Sequence, residues 1–206
     1  MQFFRRAEGE PERLAILSAA FNPPTRAHMA LARAGLEAAG EVLFVLPRIF
    51  PHSKDYGAVG LLERVRLLEA AVHGEPRYSI AATEGGLFIE IARECRAAYD
   101  PGVRLMFLCG RDAAERIVSW DYGRPGAIDD MLEEFELLVA PRHGPYAPPA
   151  ALRHRIHAIS LDEECDQVSG SEIRRRIARQ EPWEHLVPES IIPLVRELYT
   201  HPWEET

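Results

Sequence analysis

The feature that most limits the fold is a set of short, unbroken apolar runs. They are Leu14-Ala15-Ile16-Leu17, Val42-Leu43-Phe44-Val45-Leu46, Leu105-Met106-Phe107-Leu108 and Leu137-Leu138-Val139-Ala140. A half-exposed strand alternates apolar with polar side chains, whereas an unbroken run is a strand covered on both faces. Between the runs lie segments of helical spacing. Residues 26–39 place Met29, Leu31, Ala32 and Leu36 on one face and end at Gly40. Residues 61–72 repeat Leu61, Val65, Leu68 and Val72, and residues 89–98 and 113–120 read as helices too. Weaker strands are predicted over 78–82 and 156–159, a chain break over 123–126, and helices over 171–179 and 191–198. Strands alternating with helices predict an α/β fold. The expected form is a doubly wound, Rossmann-like parallel sheet with helices on both faces and a C-terminal helical segment. With 206 residues, the chain is expected to form a single domain over 1–206.

Composition narrows the partners. Lys and Arg number 24 against 32 Asp and Glu, a net charge of −8. Bulk electrostatics of this sign disfavours nucleic acid. Cys95, Cys109 and Cys165 are too few and too scattered for a disulfide framework or a metal knuckle, and the odd count fits a reducing compartment. No run approaches the ~18 apolar residues of a membrane span. Residues 1–13 lack the apolar core of a signal peptide. The expectation is a cytoplasmic protein with no membrane partner, and homo-oligomerisation stays open.

In doubly wound sheets ligands bind beyond the carboxyl ends of the strands. Those positions hold the chemically unusual residues: 18–28, 47–54, 110–112, 141–142 and 169–174. Thr25 and His28 stand three apart at a predicted helix start, one turn apart on one face. Helix N-termini present N–H donors and partial positive charge to a phosphate. The plainer alternative is a Thr N-cap beside a histidine that only packs. Ser169, Gly170, Ser171 and Arg174 form a second such start, where hydroxyls and a guanidinium suit outer phosphates. An N-cap followed by a solvated basic face reads equally well, and Arg175, Arg176 and Arg179 are assigned to that face. Gly110-Arg111-Asp112 ends the third apolar run, and Asp112 suits either a ribose hydroxyl or an N-cap. Trp120 offers a stacking face or simple core packing. Lys54 is a mobile charge suited to phosphate, or an ordinary loop lysine.

The string Ser18-Ala19-Ala20-Phe21-Asn22-Pro23-Pro24-Thr25-Arg26-Ala27-His28 resembles the signature of the nucleotidyltransferase superfamily with the (H/T)xGH motif. Phe21, Asn22, Pro23, Thr25 and His28 match it. Ser18-Ala19 stands where the family has Gly-Gly, and Ala27 where it has Gly. Ser169-Gly170-Ser171-Glu172-Ile173-Arg174 resembles the family's phosphate-contacting Ser-Ser-Thr-x-Ile-Arg. Gly110-x-Asp112 followed by Trp120 resembles the bacterial nicotinate-nucleotide adenylyltransferases, as does the closing Val187-Pro188-Glu189-Ser190-Ile191 through Tyr199. Pro51-His52-Ser53-Lys54 resembles the family's Pro-His-Lys with one residue inserted, and Arg142 loosely matches a strand-Arg-Pro-Gly segment. Glu63-Arg64 resembles a Glu-Arg pair taken as structural. The family's Ser-Tyr-Thr after a strand-ending Glu is absent, since Glu84 precedes Gly85-Gly86-Leu87-Phe88.

The resemblance implies adenylyl transfer from ATP to a phosphorylated small-molecule acceptor, nicotinate mononucleotide, in NAD biosynthesis. It implies catalytic roles for His28, Lys54 and Arg174. Nucleotide contacts fall to Ser18, Ala19, Phe21, Thr25, His28, Gly110, Ser169, Ser171 and Arg174, and acceptor contacts to Asp112, Trp120 and Arg142. Mg²⁺ is expected to arrive on ATP, with no protein metal ligands. The alternatives are another acceptor (nicotinamide mononucleotide or phosphopantetheine), CTP as donor, or a nucleotide-binding homologue without catalysis.

Overall fold

The computed structural model describes residues 1–49, 59–141, 146–161 and 168–199. Seven strands form one sheet: β1 (Gln2–Arg5), β2 (Arg13–Ser18), β3 (Glu41–Pro47), β4 (Tyr78–Thr83), β5 (Arg104–Gly110), β6 (Glu136–Ala140) and β7 (Ile156–Ala158). Their spatial order is β1-β4-β3-β2-β5-β6-β7. Strands β2 to β7 pair in parallel, and β1 pairs antiparallel with β4. The helices are α1 (Arg26–Ala38), α2 (Leu61–Ala71), α3 (Phe88–Ala98), α4 (Arg111–Ser119), α5 (Ala127–Glu134), α6 (Gly170–Ala178) and α7 (Ile192–Tyr199).

Strand order reverses between β2 and β5. From β2 the chain winds outward through β3 and β4, then crosses to β5 and winds the other way. That reversal opens a crevice at the carboxyl ends of these two strands, where the β2–α1 loop and the start of α4 lie.

Side-chain alternation separates two cores. Leu14, Ile16, Leu43, Val45, Leu105 and Phe107 point to one face, with Ile91 of α3, Ala114 of α4 and Leu132 of α5. Ala15, Leu17, Val42, Phe44, Leu46 and Leu108 point to the other, with Met29 and Ala32 of α1 and Val65 and Leu68 of α2. A third cluster docks the C-terminal segment on α2, where Leu67 meets Ile173, Trp183, Val187, Ile191 and Val195.

Three features depart from the sequence reading. The parallel sheet gains an antiparallel edge, β1. Its short Gln2-Phe3-Phe4-Arg5 run carries little alternation, and tertiary partners fix it: Arg5 donates to the carbonyls of Val72 and Glu75. Helix α5 was not predicted. It follows Gly126, whose φ of +76° reverses the chain, and Ile128, Met131 and Leu132 pack it on the core. Helix α4 starts at Arg111, two residues ahead of the predicted 113, because Gly110 already serves as its N-cap. Smaller shifts are the α1 cap at Ala39, one residue before Gly40, and the α6 start at Gly170.

Helix α1 lies close on the sheet because Gly35 has no side chain. A Cβ there would sit 2.7 Å from Leu108 Cδ1, 3.2 Å from Val42 Cγ2 and 3.3 Å from Ala15 Cβ. Gly35→Val therefore overpacks the interface and should lower unfolding free energy by about 1–3 kcal/mol. Urea denaturation followed by circular dichroism reads this as a lower midpoint at unchanged slope. An unchanged midpoint refutes the packing account.

Candidate active site

The β2–α1 loop starts at Ala19, whose N–H donates to the Val45 carbonyl at 3.2 Å and continues the sheet register. Phe21 then adopts φ +48°, the left-handed region that a bulky residue seldom occupies. That conformation costs about 1–2 kcal/mol. Burial of the ring offsets it, since removing a Phe side chain from water is worth about 1.5–3 kcal/mol. The ring is 1% exposed and packs against Phe44 and His28 at centroid distances of 5.7 and 5.0 Å.

Thr25 caps α1. Its hydroxyl accepts from the His28 N–H at 3.2 Å, and its own N–H donates to His28 Nδ1 at 3.0 Å. This reciprocal arrangement fixes the tautomer: Nδ1 accepts, so the neutral ring carries its proton on Nε2. Burial pulls the imidazole from the ordinary 6.5 down to about 4. His28 is therefore an uncharged donor at neutral pH. No acidic side chain occupies the first turn of α1, so its partial positive charge is not cancelled locally.

Helix α6 meets the same loop. Ser169 caps it by accepting from the Glu172 N–H at 3.2 Å. Gly170 touches the loop backbone: a Cβ there would lie 2.6 Å from the Asn22 carbonyl oxygen, so only glycine permits this approach. Arg174 donates to the Asn22 carbonyl and, at 3.3 Å, to Ser171 Oγ. Phe21, Asn22, Thr25 and His28 thus come together with Gly170, Ser171 and Arg174. The Thr25 and Ser169 N-caps read as plainer alternatives are real, and they coexist with the two helix starts meeting in one place.

Two further groups hold this loop. Arg64, 6% exposed, donates through Nη1 to the Ala20 carbonyl at 2.9 Å and through Nε to Gly60 at 3.2 Å. Tyr199 of α7 donates its hydroxyl to Asn22 Oδ1. Burial raises its phenol above the ordinary range, partly opposed by Arg174 and Arg64. The sequence carried a signal for Arg64: it interrupts the apolar stripe of Leu61 and Leu68 at helical spacing, which marks a guanidinium with buried acceptors. No local signal marked Asn22 as the acceptor for Tyr199.

Across the crevice, β5 ends at Gly110, which caps α4 with no side-chain bond. Asp112 is therefore not the N-cap considered from sequence. It sits exposed in the first turn, and its carbonyl accepts from Arg116 Nε at 3.4 Å. Trp120 is not a core residue either. It ends α4 and is 59% exposed. Ser18 and Ala19 are half-buried at the end of β2, and Ala27 is half-buried in the first turn of α1. Lys54 and Arg142 lie outside the described residues. Residues 84–87 make a carboxylate-capped turn, since Glu90 accepts from the Gly86 and Leu87 N–H groups at 3.1 and 3.0 Å. On α6, Arg175 and Arg176 are more than a solvated face. Both bind Glu172, and their hydrogen bonds hold its carboxyl at about 2.

The pH dependence of His28 follows with a definite sign. The unfolded imidazole binds a proton near 6.5 and the folded one near 4. Between these values the unfolded state holds more protons, so His28 removes stability as pH falls through this window. NMR of the ring should show the Nε2–H form with a midpoint near 4. His28→Gln should lessen the loss of unfolding free energy between pH 7 and 5. A midpoint near 6.5 refutes the burial account.

The cytidylyltransferase-like family matches residues 16–176. The probable nicotinate-nucleotide adenylyltransferase of Solibacter usitatus is 30% identical over 191 residues, covering 89% of this chain and 94% of that protein. Its namesake in Moorella thermoacetica is 28% identical over 203 residues, covering 90% of each chain. Among solved structures, Plasmodium falciparum nicotinic acid mononucleotide adenylyltransferase complexed with NaAD superposes with a TM-score of 0.70 at 17% identity. It covers 93% of this chain and 99% of that one. This likeness extends to the fold.

Proposed function

The chain belongs to the cytidylyltransferase-like family, and from that premise we propose that it transfers the adenylyl group of ATP to nicotinate mononucleotide. An oxygen of the acceptor 5′-phosphate attacks the α-phosphorus of ATP. The bond from that phosphorus to the α–β bridging oxygen breaks, and pyrophosphate leaves. No protein nucleophile is required. The task is to align two polyanions and stabilise charge that builds on the phosphates.

The observation that carries this reading is the junction of two helix N-termini, α1 and α6, on the Asn22 backbone at the strand-order reversal. First-turn N–H groups of α1 have no backbone acceptor within the helix and lie along its axis, the Thr25 hydroxyl taking that of His28. His28 adds a neutral Nε2–H donor for the α/β-phosphates. Arg174 and Ser171 take the outer phosphates, with Ser169 shaping the α6 start. Phe21 and Thr25 hold the tip, Ser18, Ala19 and Gly110 line the nucleotide's approach, and Lys54 neutralises the outgoing pyrophosphate. Asp112, Trp120 and Arg142 serve the acceptor, with the exposed indole stacking on the pyridine ring. The names of the relatives, which cover most of the chain, support this choice of reaction and acceptor.

A divalent cation bound with the nucleotide would supply Lewis-acid stabilisation to the phosphates. Among the described residues no three His, Cys, Asp or Glu side chains gather as a metal cage. In this reading Mg²⁺ travels on ATP. The chain acts in the cytoplasm in this reading, as one domain over 1–206.

Pyrophosphate release with ATP or CTP against nicotinate mononucleotide, nicotinamide mononucleotide and phosphopantetheine tests the assignment. ATP with nicotinate mononucleotide should be the best pair, and His28→Ala should lower its kcat by ~10²-fold. Tight ATP binding without release on any acceptor supports a binding protein instead. Trp120→Ala should raise the acceptor KM severalfold, on the scale of one lost stacking contact, while the ATP KM holds. An unchanged acceptor KM removes Trp120 from the site.

A further inference from the structure

We propose that Tyr199 is a positioning residue for catalysis, acting through Asn22 on the loop that presents His28. The inference rests on the adenylyl-transfer reading and adds the C-terminal helix to the machinery. Tyr199 lies 177 residues from Asn22 in the chain, yet its hydroxyl donates to Asn22 Oδ1. Helix α7 is fixed independently, because Val195 and Ile191 pack with Leu67 of α2 in the third core. The hydroxyl therefore reports the position of a rigid element to the loop. Its phenol is held protonated by burial, so it stays a donor across the working pH range.

Three helices converge on the same short stretch. Arg64 of α2 holds the Ala20 carbonyl, Arg174 of α6 holds the Asn22 carbonyl, and Tyr199 of α7 holds the Asn22 side chain. Arg174 is the one among them that the proposed reaction also directs at phosphate. A triphosphate and the Asn22 carbonyl compete for its guanidinium. When the anion draws Arg174 away, Tyr199 and Arg64 keep the loop, and with it the Thr25–His28 tip, in register. A tip displaced by about an ångström misaligns its donors with the reacting phosphates, an error that costs up to ~10²-fold in rate.

The experiment compares the full chain with Tyr199→Phe, Asn22→Ala and the double variant. Tyr199→Phe keeps the ring and its packing. Its kcat should fall about tenfold, with the ATP KM within about twofold and the thermal midpoint nearly unchanged. On the Asn22→Ala background the same change should alter kcat by less than about twofold, because the acceptor is already gone. Independent, multiplying losses would overturn the proposal, as would a Tyr199→Phe enzyme of normal kcat. Amide hydrogen exchange over residues 20–28 gives a readout without turnover. Faster exchange in Tyr199→Phe supports the link and unchanged exchange refutes it. An inactive wild-type chain on every acceptor defeats the reaction assignment alone, and the exchange result still decides whether Tyr199 holds the loop.

Discussion

The carbonyls of Ala20 and Asn22 must be satisfied in a loop that is largely withdrawn from water, and the chain satisfies both with guanidinium groups. Arg64 reaches one and Arg174 the other. A buried, unpaired carbonyl is costly, so charge-assisted donors here stabilise the loop in this conformation. That conformation sets the φ of Phe21, the direction in which the chain enters α1, and the mutual cap of Thr25 and His28. The third core follows the same logic from outside. Leu67, Ile173, Ile191 and Val195 bring α2, α6 and α7 together, so the donors that those helices carry converge on one loop.

The proposed site also reconciles an acidic chain with an anionic ligand. Net charge is −8, but local sign is set within a few ångströms. The first turn of α1 carries no acid. On α6 the carboxylate of Glu172 stands near the helix start, where it would repel phosphate. Arg175 and Arg176 bind it from the following turn, leaving Arg174 directed at the loop. His28 contributes a dipole rather than a charge, because desolvation disfavours the imidazolium. In the proposed reaction such a neutral donor strengthens its bond as charge develops without binding the resting triphosphate too tightly.

What the sequence made legible divides along physical lines. Strands covered on both faces read directly as apolar runs, so β2, β3, β5 and β6 matched closely, as did α1, α2 and α3. Elements made by context did not read. β1 is ordered by pairing on the β4 edge and by Arg5, and α5 starts from a left-handed Gly126 that composition registers only as a break. Site residues split likewise. Thr25, His28, Ser169 and Arg174 announce themselves by spacing at helix starts. Tyr199 and Asn22 are joined by tertiary packing alone, and no spacing rule relates residues at opposite ends of a chain. At Asp112 and Trp120 it is the plainer alternatives that fail. An N-cap and a core indole are common fates for these residue types, yet Gly110 caps α4 and Trp120 stands exposed at its other end.

The two sides of the crevice therefore use different physics. On the α1–α6 side, Thr25 pairs with His28 and Arg174 with the Asn22 carbonyl, and in the proposed reaction an arriving phosphate exchanges with the Arg174 bond. The reciprocal Thr25–His28 cap favours geometric precision, because it orients the imidazole before a ligand arrives. On the α4 side, an indole is 59% exposed. Exposed aromatic area is unfavourable in water and is recovered when a flat surface covers it. In the proposed reaction, affinity on that side scales with the area and planarity of the acceptor, and the α1–α6 side aligns the reacting phosphate. In the proposed reaction, a change at Trp120 alters how tightly a ring is held, whereas a change in the loop between β2 and α1 alters where the phosphorus stands.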